Sequence, residues 1–280
     1  MTAAVLRYSA FTTDPAGGNP AGVVLDARSL DDAAMQRIAA DLGYSETAFL
    51  LPRADGDLDV RYFSPLAEVS FCGHATIAAM VARARAHGPG DVVLHTQAGR
   101  VRVTVGDDLA ATLTSVTPRV DALSAEHLDA LLATLGWRHD DLDATLPPGL
   151  AYAGAWHPVV AAASRARLAE LHYDFDALAA LMKVRGWTTV NLVWREDAQT
   201  LHARNPFPPG GVVEDPATGA AAAALGAYLA ARDQLPASRA FVIHQGHDLG
   251  RPSVLKVEVP AEVRDGVRVS GTAVEISATD

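Results

Sequence analysis

A short segment, FCGHAT at residues 71–76, holds the only cysteine of the protein and a histidine two residues later. These side chains suit three kinds of chemistry: metal binding, nucleophilic attack, or proton transfer. A zinc site needs three or four ligands, and the sequence has no HExxH or paired CxxC motif to complete a set. A lone Cys beside an apolar run typically packs as a small hydrophobe. We therefore expect no metal here, a packing role for Cys72, and a functional role for His74 at an exposed helix end.

Two carboxylates, those of Glu46 and Asp215, are candidates for acid/base catalysis because of their positions in the predicted elements. Glu46 begins a strand-like segment and shares a face with Ala48 and Leu50, which would draw its carboxylate toward apolar surroundings. Such burial raises the pKa of a carboxyl group and suits acid/base catalysis near neutral pH; the alternative is an exposed edge carboxylate. Asp215 directly precedes a helix, where it is a candidate for catalysis or for a structural cap, and neighbouring Glu214 competes for either role.

In both CGHAT and DPATGAA, a turn containing Gly or Pro opens directly into a helix, so that backbone amides point outward from the helix N-terminus. Helix ends of this kind bind anions. The amides concerned are those of Gly73, His74, Ala75 and Thr76 in the first case and of Thr218, Gly219 and Ala220 in the second. The alternative is that Thr76 and Thr218 only cap their helices.

Two loops add polar candidates. The segment GGNPAGVVLD, residues 17–26, places Asn19 in a loop that closes onto a strand and is a candidate for lining a site. Near the C-terminus, Gln245, Gly246 and Arg251 either bind a carboxylate or only shape a turn.

The elements that position these residues recur in two halves of the chain. The matching segments are YSETAFLLPR (44–53) with WTTVNLVWRE (187–196), YFSPLAEVSFCGHATIAAM (62–80) with PFPPGGVVEDPATGAAAAALGAYL (206–229), and VVLHTQAGRVRVTV (92–105) with FVIHQGHDLGRPSVLKVEV (241–259). Each half is predicted to run strand, helix, strand, Pro-containing loop, small-residue helix and a pair of strands. We expect an N-terminal lobe of residues 1–118 and a C-terminal lobe of 119–280, with the last strand, about 267–280, as a candidate to pack with the N-terminal lobe.

The two small-residue helices, 75–84 and 218–231, are rich in Ala and Gly. Small side chains allow strands to approach a helix from all sides, so each helix is predicted to lie inside its own curved sheet. Two such lobes would form a cleft, which is a usual place for a small-molecule site.

Composition excludes several classes of function. The chain has 280 residues, 49% of them hydrophobic, which is enough for a full core. Its net charge of -10 and its scattered basic residues argue against a nucleic-acid partner. No apolar run reaches membrane-spanning length and no signal peptide is evident, so we expect a soluble cytoplasmic protein with no membrane partner.

Taken together, the motifs GGNPAGVVLD, SETAFL, YFSPLAEVSFCGHAT, EDPATGAA and QGHDLGRPS resemble the PhzF family of phenazine biosynthesis, in that family's order and across essentially the whole chain. The resemblance implies an α+β, diaminopimelate epimerase-like fold, with two pseudo-repeated lobes that each wrap a curved, mainly antiparallel sheet around a central helix. It also implies a homodimer that uses no cofactor.

The resemblance further implies that Glu46 carries a proton between carbons of the substrate while His74 and Asp215 assist. Ala220 stands where PhzF has a serine, which removes one hydroxyl contact. Related epimerases use two cysteines; Cys72 matches the first, but the second position is Thr218, whose hydroxyl is too weak an acid to act as its partner.

The function expected from the sequence is therefore a cofactor-independent isomerase that moves a proton between carbons of a small, carboxylate-bearing substrate. One alternative is a racemase or epimerase of the same fold that works through Glu46 and another acid. A second alternative is a small-ligand-binding protein without turnover.

Overall fold

The computed structural model describes residues 4–277, which separate into two compact units. The first unit holds the described residues up to Thr114 and those from Ser270 onward, and the second holds Ser115–Val269. The dividing point thus lies slightly before the expected position at 118, and the final strand belongs to the first unit. Residues 278–280 of the expected last strand lie outside the described part of the chain.

The first unit opens the chain with eight strands and two helices. These are β1 (Leu6–Ala10), β2 (Asn19–Val24), α1 (Asp32–Leu42), β3 (Glu46–Pro52), β4 (Leu58–Phe63), β5 (Glu68–Val69), α2 (Gly73–His87), β6 (Gly90–Thr96), β7 (Gly99–Val105) and β8 (Ala111–Thr114). The rest of the chain continues with β9 (Arg119–Ala122), α3 (Ala125–Leu135), β10 (Gly149–Tyr152), β11 (Trp156–Ala161), α4 (Arg165–Ala169), α5 (Phe175–Arg185), β12 (Asn191–Arg195), β13 (Thr200–Phe207), β14 (Val212–Asp215), α6 (Gly219–Ala230), β15 (Ala240–Gln245), β16 (Ser253–Glu258), β17 (Arg268–Gly271) and β18 (Ala273–Glu275). No helix among the described residues has the length and apolar character that crossing a bilayer requires.

The strand pairings repeat from one unit to the other. In the first unit the order is β18, β1, β2, β3, β4, β6, β7, β8, with only β2–β3 and β4–β6 parallel among its described pairs. In the second unit the order is β9, β10, β11, β12, β13, β15, β16, with β11–β12 and β13–β15 parallel. A short strand, β5 or β14, pairs antiparallel with β4 or β13 just before the central helix. The two units therefore have the same topology, as expected from duplication.

The central helices are buried on all faces, apart from the last turn of α2, where Arg85, Ala86 and His87 are exposed. Helix α2 contacts β1, β2, β3, β7, β8 and β18, and α6 contacts β9, β10, β11 and β16. Small side chains permit this packing: a Cβ atom added to Gly226 of α6 would lie 3.0 Å from methyl groups of both Val259 and Val267. The Ala- and Gly-rich composition thus reflects close approach of helix and strands, as predicted.

Additional helices cover the outer faces of the sheets. In the first unit α1 packs its Met35 and Ala39 onto Phe49 and Phe63. In the second unit α3 and α5 pack against each other and contribute Leu131 and further residues to a separate core cluster. The second unit therefore has three outer helices where the first has one, so the predicted repeat holds for the sheet and central helix but not for this layer.

Candidate active site

The N-terminus of α2 brings three chemical groups together in the first unit. Cys72 is extended and precedes the helix, which begins at Gly73. Its Sγ lies 3.5 Å from Oε2 of Glu46 and 3.3 Å from Nδ1 of His74. The thiol is therefore in contact with both candidate catalytic side chains, where the sequence had indicated a packing role only.

Glu46 is held by its position as the first residue of β3. That strand lies between β2, where Ala21 is the parallel partner of Glu46, and β4. The Glu46 side chain is only 14% exposed, and its Oε2 lies 3.3 Å from Nε2 of His74. Glu46 thus lies at the start of a strand with its side chain mostly buried, as expected from the sequence.

His74 has contacts at both ring nitrogens. In addition to Cys72 at Nδ1 and Glu46 at Nε2, the Oγ of Ser45 lies 3.2 Å from Nε2. The histidine is buried, with 5% of the residue exposed, so the expectation of an exposed helix end was wrong. Ser45 was not among the candidates expected from the sequence, although it immediately precedes Glu46 in the SET segment.

One ligand atom from each of Glu46, Cys72 and His74 lies within 4.8 Å of the others, a spacing that could hold a metal ion. No metal was expected at this position from the sequence. The same spacing also suits proton exchange between a carboxylate, an imidazole and a thiol, because all three groups are mostly buried and within contact distance.

A second polar group surrounds the N-terminus of α6 in the second unit. The hydroxyl of Thr218 donates to Oδ2 of Asp215 at 2.6 Å. Gln245 links the two residues, because its Nε2 donates to the Asp215 carbonyl at 2.7 Å and to the Thr218 hydroxyl at 3.0 Å, while its Oε1 accepts from the Thr218 amide at 3.2 Å. Gln245 thus fixes the positions of buried Asp215 and Thr218 through three hydrogen bonds.

The chain matches the PhzC-PhzF family, described as phenazine biosynthesis-like protein, over residues 8–279. It belongs to this family. The α+β, diaminopimelate epimerase-like fold expected from the sequence is likewise confirmed by solved structures.

Three relatives illustrate the match. The "Uncharacterized isomerase YddE" of Escherichia coli K12 is 37% identical, over 98% of this chain and 96% of its own. The trans-2,3-dihydro-3-hydroxyanthranilate isomerase of Pseudomonas fluorescens is 34% identical, over 95% and 94%. A PhzF-family phenazine biosynthesis protein of Bacillus anthracis has a TM-score of 0.85 and 26% identity, over 98% and 96%. The protein is accordingly a PhzF-like isomerase.

Within this PhzF-like protein, Thr76 has a structural role. Its hydroxyl donates to the Cys72 carbonyl at 2.6 Å and lies 2.6 Å from the hydroxyl of buried Tyr62. Its amide already donates to the Cys72 carbonyl within the helix. Thr76 therefore neither caps α2 nor offers an amide to an anion, and this expectation was wrong. The amides of Gly73, His74 and Ala75 remain candidates in the first turn.

Thr218 differs from its expected role in a similar way. It precedes α6, but its hydroxyl bonds to Asp215 and its amide to Gln245, so among the described residues it does not cap the helix with its side chain. Gly219 is buried and Ala220 is partly exposed at the start of the helix. These two residues remain the candidates for amide donors at this end.

The remaining candidates are also placed by the structure. Asn19 is the first residue of β2, opposite Ala10, and is buried rather than part of a loop. Glu214 is buried and forms an ion pair with Arg204, which takes it out of competition with Asp215.

The position in the second unit that matches Glu46 is Thr189, two residues before β12 begins. Its hydroxyl lies 2.9 Å from Nδ1 of His157 and donates to Oδ1 of Asn205 at 2.8 Å. Complete burial lowers the pKa of His157 to about 4, so this ring is neutral at physiological pH. Only the first unit therefore carries a carboxylate at this point of the repeat.

Proposed function

We propose that the protein is a cofactor-independent isomerase in which Glu46 moves a proton between two carbons of a small, carboxylate-bearing substrate. The observation that carries this proposal is the contact of a mostly buried Glu46 with His74, at 3.3 Å. A carboxylate in this environment can take up a proton and return it without exchange with bulk water at each step.

The reaction needs no oxidant or reductant. Glu46 accepts the proton of an activated C–H bond and becomes a carboxylic acid, while the electron pair of that bond moves into the adjacent conjugated system. The acid then returns the proton to a second carbon of that system, which restores the carboxylate. Substrate and product are isomers, and the enzyme ends as it began.

The groups around Glu46 have separate roles in this proposal. His74 assists Glu46 through the 3.3 Å contact between Nε2 and Oε2, and Ser45, 3.2 Å from the same nitrogen, orients the ring. In the first unit, the amides of Gly73 and Ala75 in the first turn of α2 bind anionic or carbonyl oxygens of the substrate. The amides of Gly219 and Ala220 are candidates for anion binding in the second unit. For Asp215 of the second unit, which Thr218 and Gln245 hold in place, we propose an assisting role on the basis of the PhzF resemblance.

We infer the chemical class of the substrate from the relatives of this protein. The Pseudomonas fluorescens relative is named for trans-2,3-dihydro-3-hydroxyanthranilate, a cyclic carboxylate with a conjugated system. We propose a substrate of the same chemical class. Because Ala220 cannot supply the hydroxyl that the family serine provides, we expect the substrate itself to differ from that compound.

The test compares wild type with Glu46→Gln on a panel of cyclic and amino-acid-like carboxylates that begins with trans-2,3-dihydro-3-hydroxyanthranilate. Glutamine keeps the shape and hydrogen-bonding reach of glutamate but cannot accept a proton, so turnover should fall by about 10² to 10⁴. The matched control is Glu126→Gln, because the side chain of Glu126 is 85% exposed. It should behave as wild type.

Mass spectrometry of the product formed in heavy water completes the test. A single carboxylate that takes and returns the proton should leave part of the substrate hydrogen in the product. Deuterium incorporated with inversion at one carbon would instead support a racemase or epimerase. Retention of more than about a tenth of the wild-type rate by Glu46→Gln would remove Glu46 from the mechanism.

A further inference from the structure

Three histidines with no role assigned above lie side by side in the second unit. His202 of β13 and His244 of β15 are direct partners in a parallel strand pair, and their ring centroids are 5.3 Å apart. His247 begins the turn after β15, and its ring centroid lies 5.4 Å from that of His244 and 6.4 Å from that of His202. The fold thus brings three imidazoles from two strands and a turn into one cluster.

The cluster includes a carboxylate. Nε2 of His202 lies 2.8 Å from Oε2 of Glu196, whose side chain is half exposed. A metal ion bound by both atoms replaces this hydrogen bond, and the two ligand atoms then lie about 3.3 Å apart around a tetrahedral ion. Asp248, next to His247, accepts two hydrogen bonds from Arg165 and is therefore already engaged.

The spacing of the rings fits a shared ion. Zinc binds imidazole nitrogen at about 2.0 Å, which places the centroids of two rings on one tetrahedral ion about 5 Å apart. Two of the three ring pairs already have this separation, at 5.3 and 5.4 Å. Nδ1 of His244 is buried and has no hydrogen-bond partner among residues 4–277, so it is an available ligand atom.

We propose that His202, His244 and His247, with Glu196, bind a divalent transition-metal ion of the zinc type. Three imidazoles and one carboxylate make a complete tetrahedral set, and imidazole favours Zn²⁺, Ni²⁺ and Cu²⁺ over Mg²⁺ and Ca²⁺. In this structure the four ligand atoms do not all lie within 4.8 Å of one another. Among the described residues, only the group of Glu46, Cys72 and His74 meets that criterion. Binding therefore involves rotation of the rings, above all that of exposed His247.

The test must separate this site from the Glu46, Cys72 and His74 group. Zn²⁺ is titrated calorimetrically into the full-length protein, and into its Cys72→Ser variant, with Mg²⁺ as the control ion. One Zn²⁺ per chain should still bind after Cys72→Ser. In that background His244→Ala should weaken binding at least about tenfold, because a tetrahedral set loses one of its four ligands.

The matched control is His139→Ala, which removes an exposed histidine of the second unit that is paired with Asp129. It should bind Zn²⁺ as tightly as its parent. Because His244 is partly buried, His247→Gln provides a second variant at an exposed position, and it should weaken binding similarly. Absence of Zn²⁺ binding in Cys72→Ser, or equal affinities of His247→Gln and His139→Ala, would overturn the proposal.

Discussion

The buried His157 makes stability of the second unit depend on pH in a way that can be calculated. Its pKa is about 4 in the folded protein, because burial disfavours the charged ring, against 6.5 for an exposed histidine. Below pH 6.5 the unfolded chain binds a proton that the folded chain does not, so stability is lost as the pH falls from 6.5 toward 4. At pH 7.5 both states are neutral and the effect vanishes, whereas at pH 5 the loss reaches about 2 kcal/mol.

The perturbation is His157→Gln, which keeps a polar group near Thr189 but cannot titrate. The assay is urea unfolding at pH 7.5 and pH 5, followed by tryptophan fluorescence. All four tryptophans report on the second unit: Trp137, Trp156, Trp187 and Trp194. Between the two pH values, wild type should lose about 2 kcal/mol more of its free energy of unfolding than the variant.

Other acid-sensitive groups do not affect this difference, because wild type and variant share them. The control is His139→Gln, since the His139 side chain is 65% exposed; its loss should equal that of wild type. If His157→Gln loses as much stability between pH 7.5 and pH 5 as wild type does, then His157 is not neutral in the folded state and the reasoning fails.

Two further substitutions test the polar groups at the helix ends. Gln245→Ala should lower the free energy of unfolding by about 1–3 kcal/mol, because the buried Thr218 amide loses its hydrogen-bond partner. The midpoint of urea unfolding measures this loss. A midpoint equal to that of Gln199→Ala, the control at an exposed position, would contradict the prediction. Cys72→Ser should reduce turnover less than about tenfold, because the serine hydroxyl can still donate a hydrogen bond to Glu46. A loss of turnover as large as that of Glu46→Gln would show that Cys72 acts as an acid/base group.

The sequence by itself determined the elements and their repetition. The Ala- and Gly-rich segments predicted central helices that the structure places at Gly73–His87 and Gly219–Ala230. The alternation after Ser45 predicted a strand, and β3 begins at Glu46. These features depend on local composition and periodicity, which the sequence states directly.

Only the tertiary structure decided which side chains meet and which are buried. The contact of Cys72 with Glu46 joins residues 26 positions apart, and no local pattern encodes it. His74 was expected at an exposed helix end, but the start of β3 covers it, and Thr76 turns to Tyr62 instead of to a ligand. A helix N-terminus predicts amides that need partners; which partners they find is decided by the strands that pack around it.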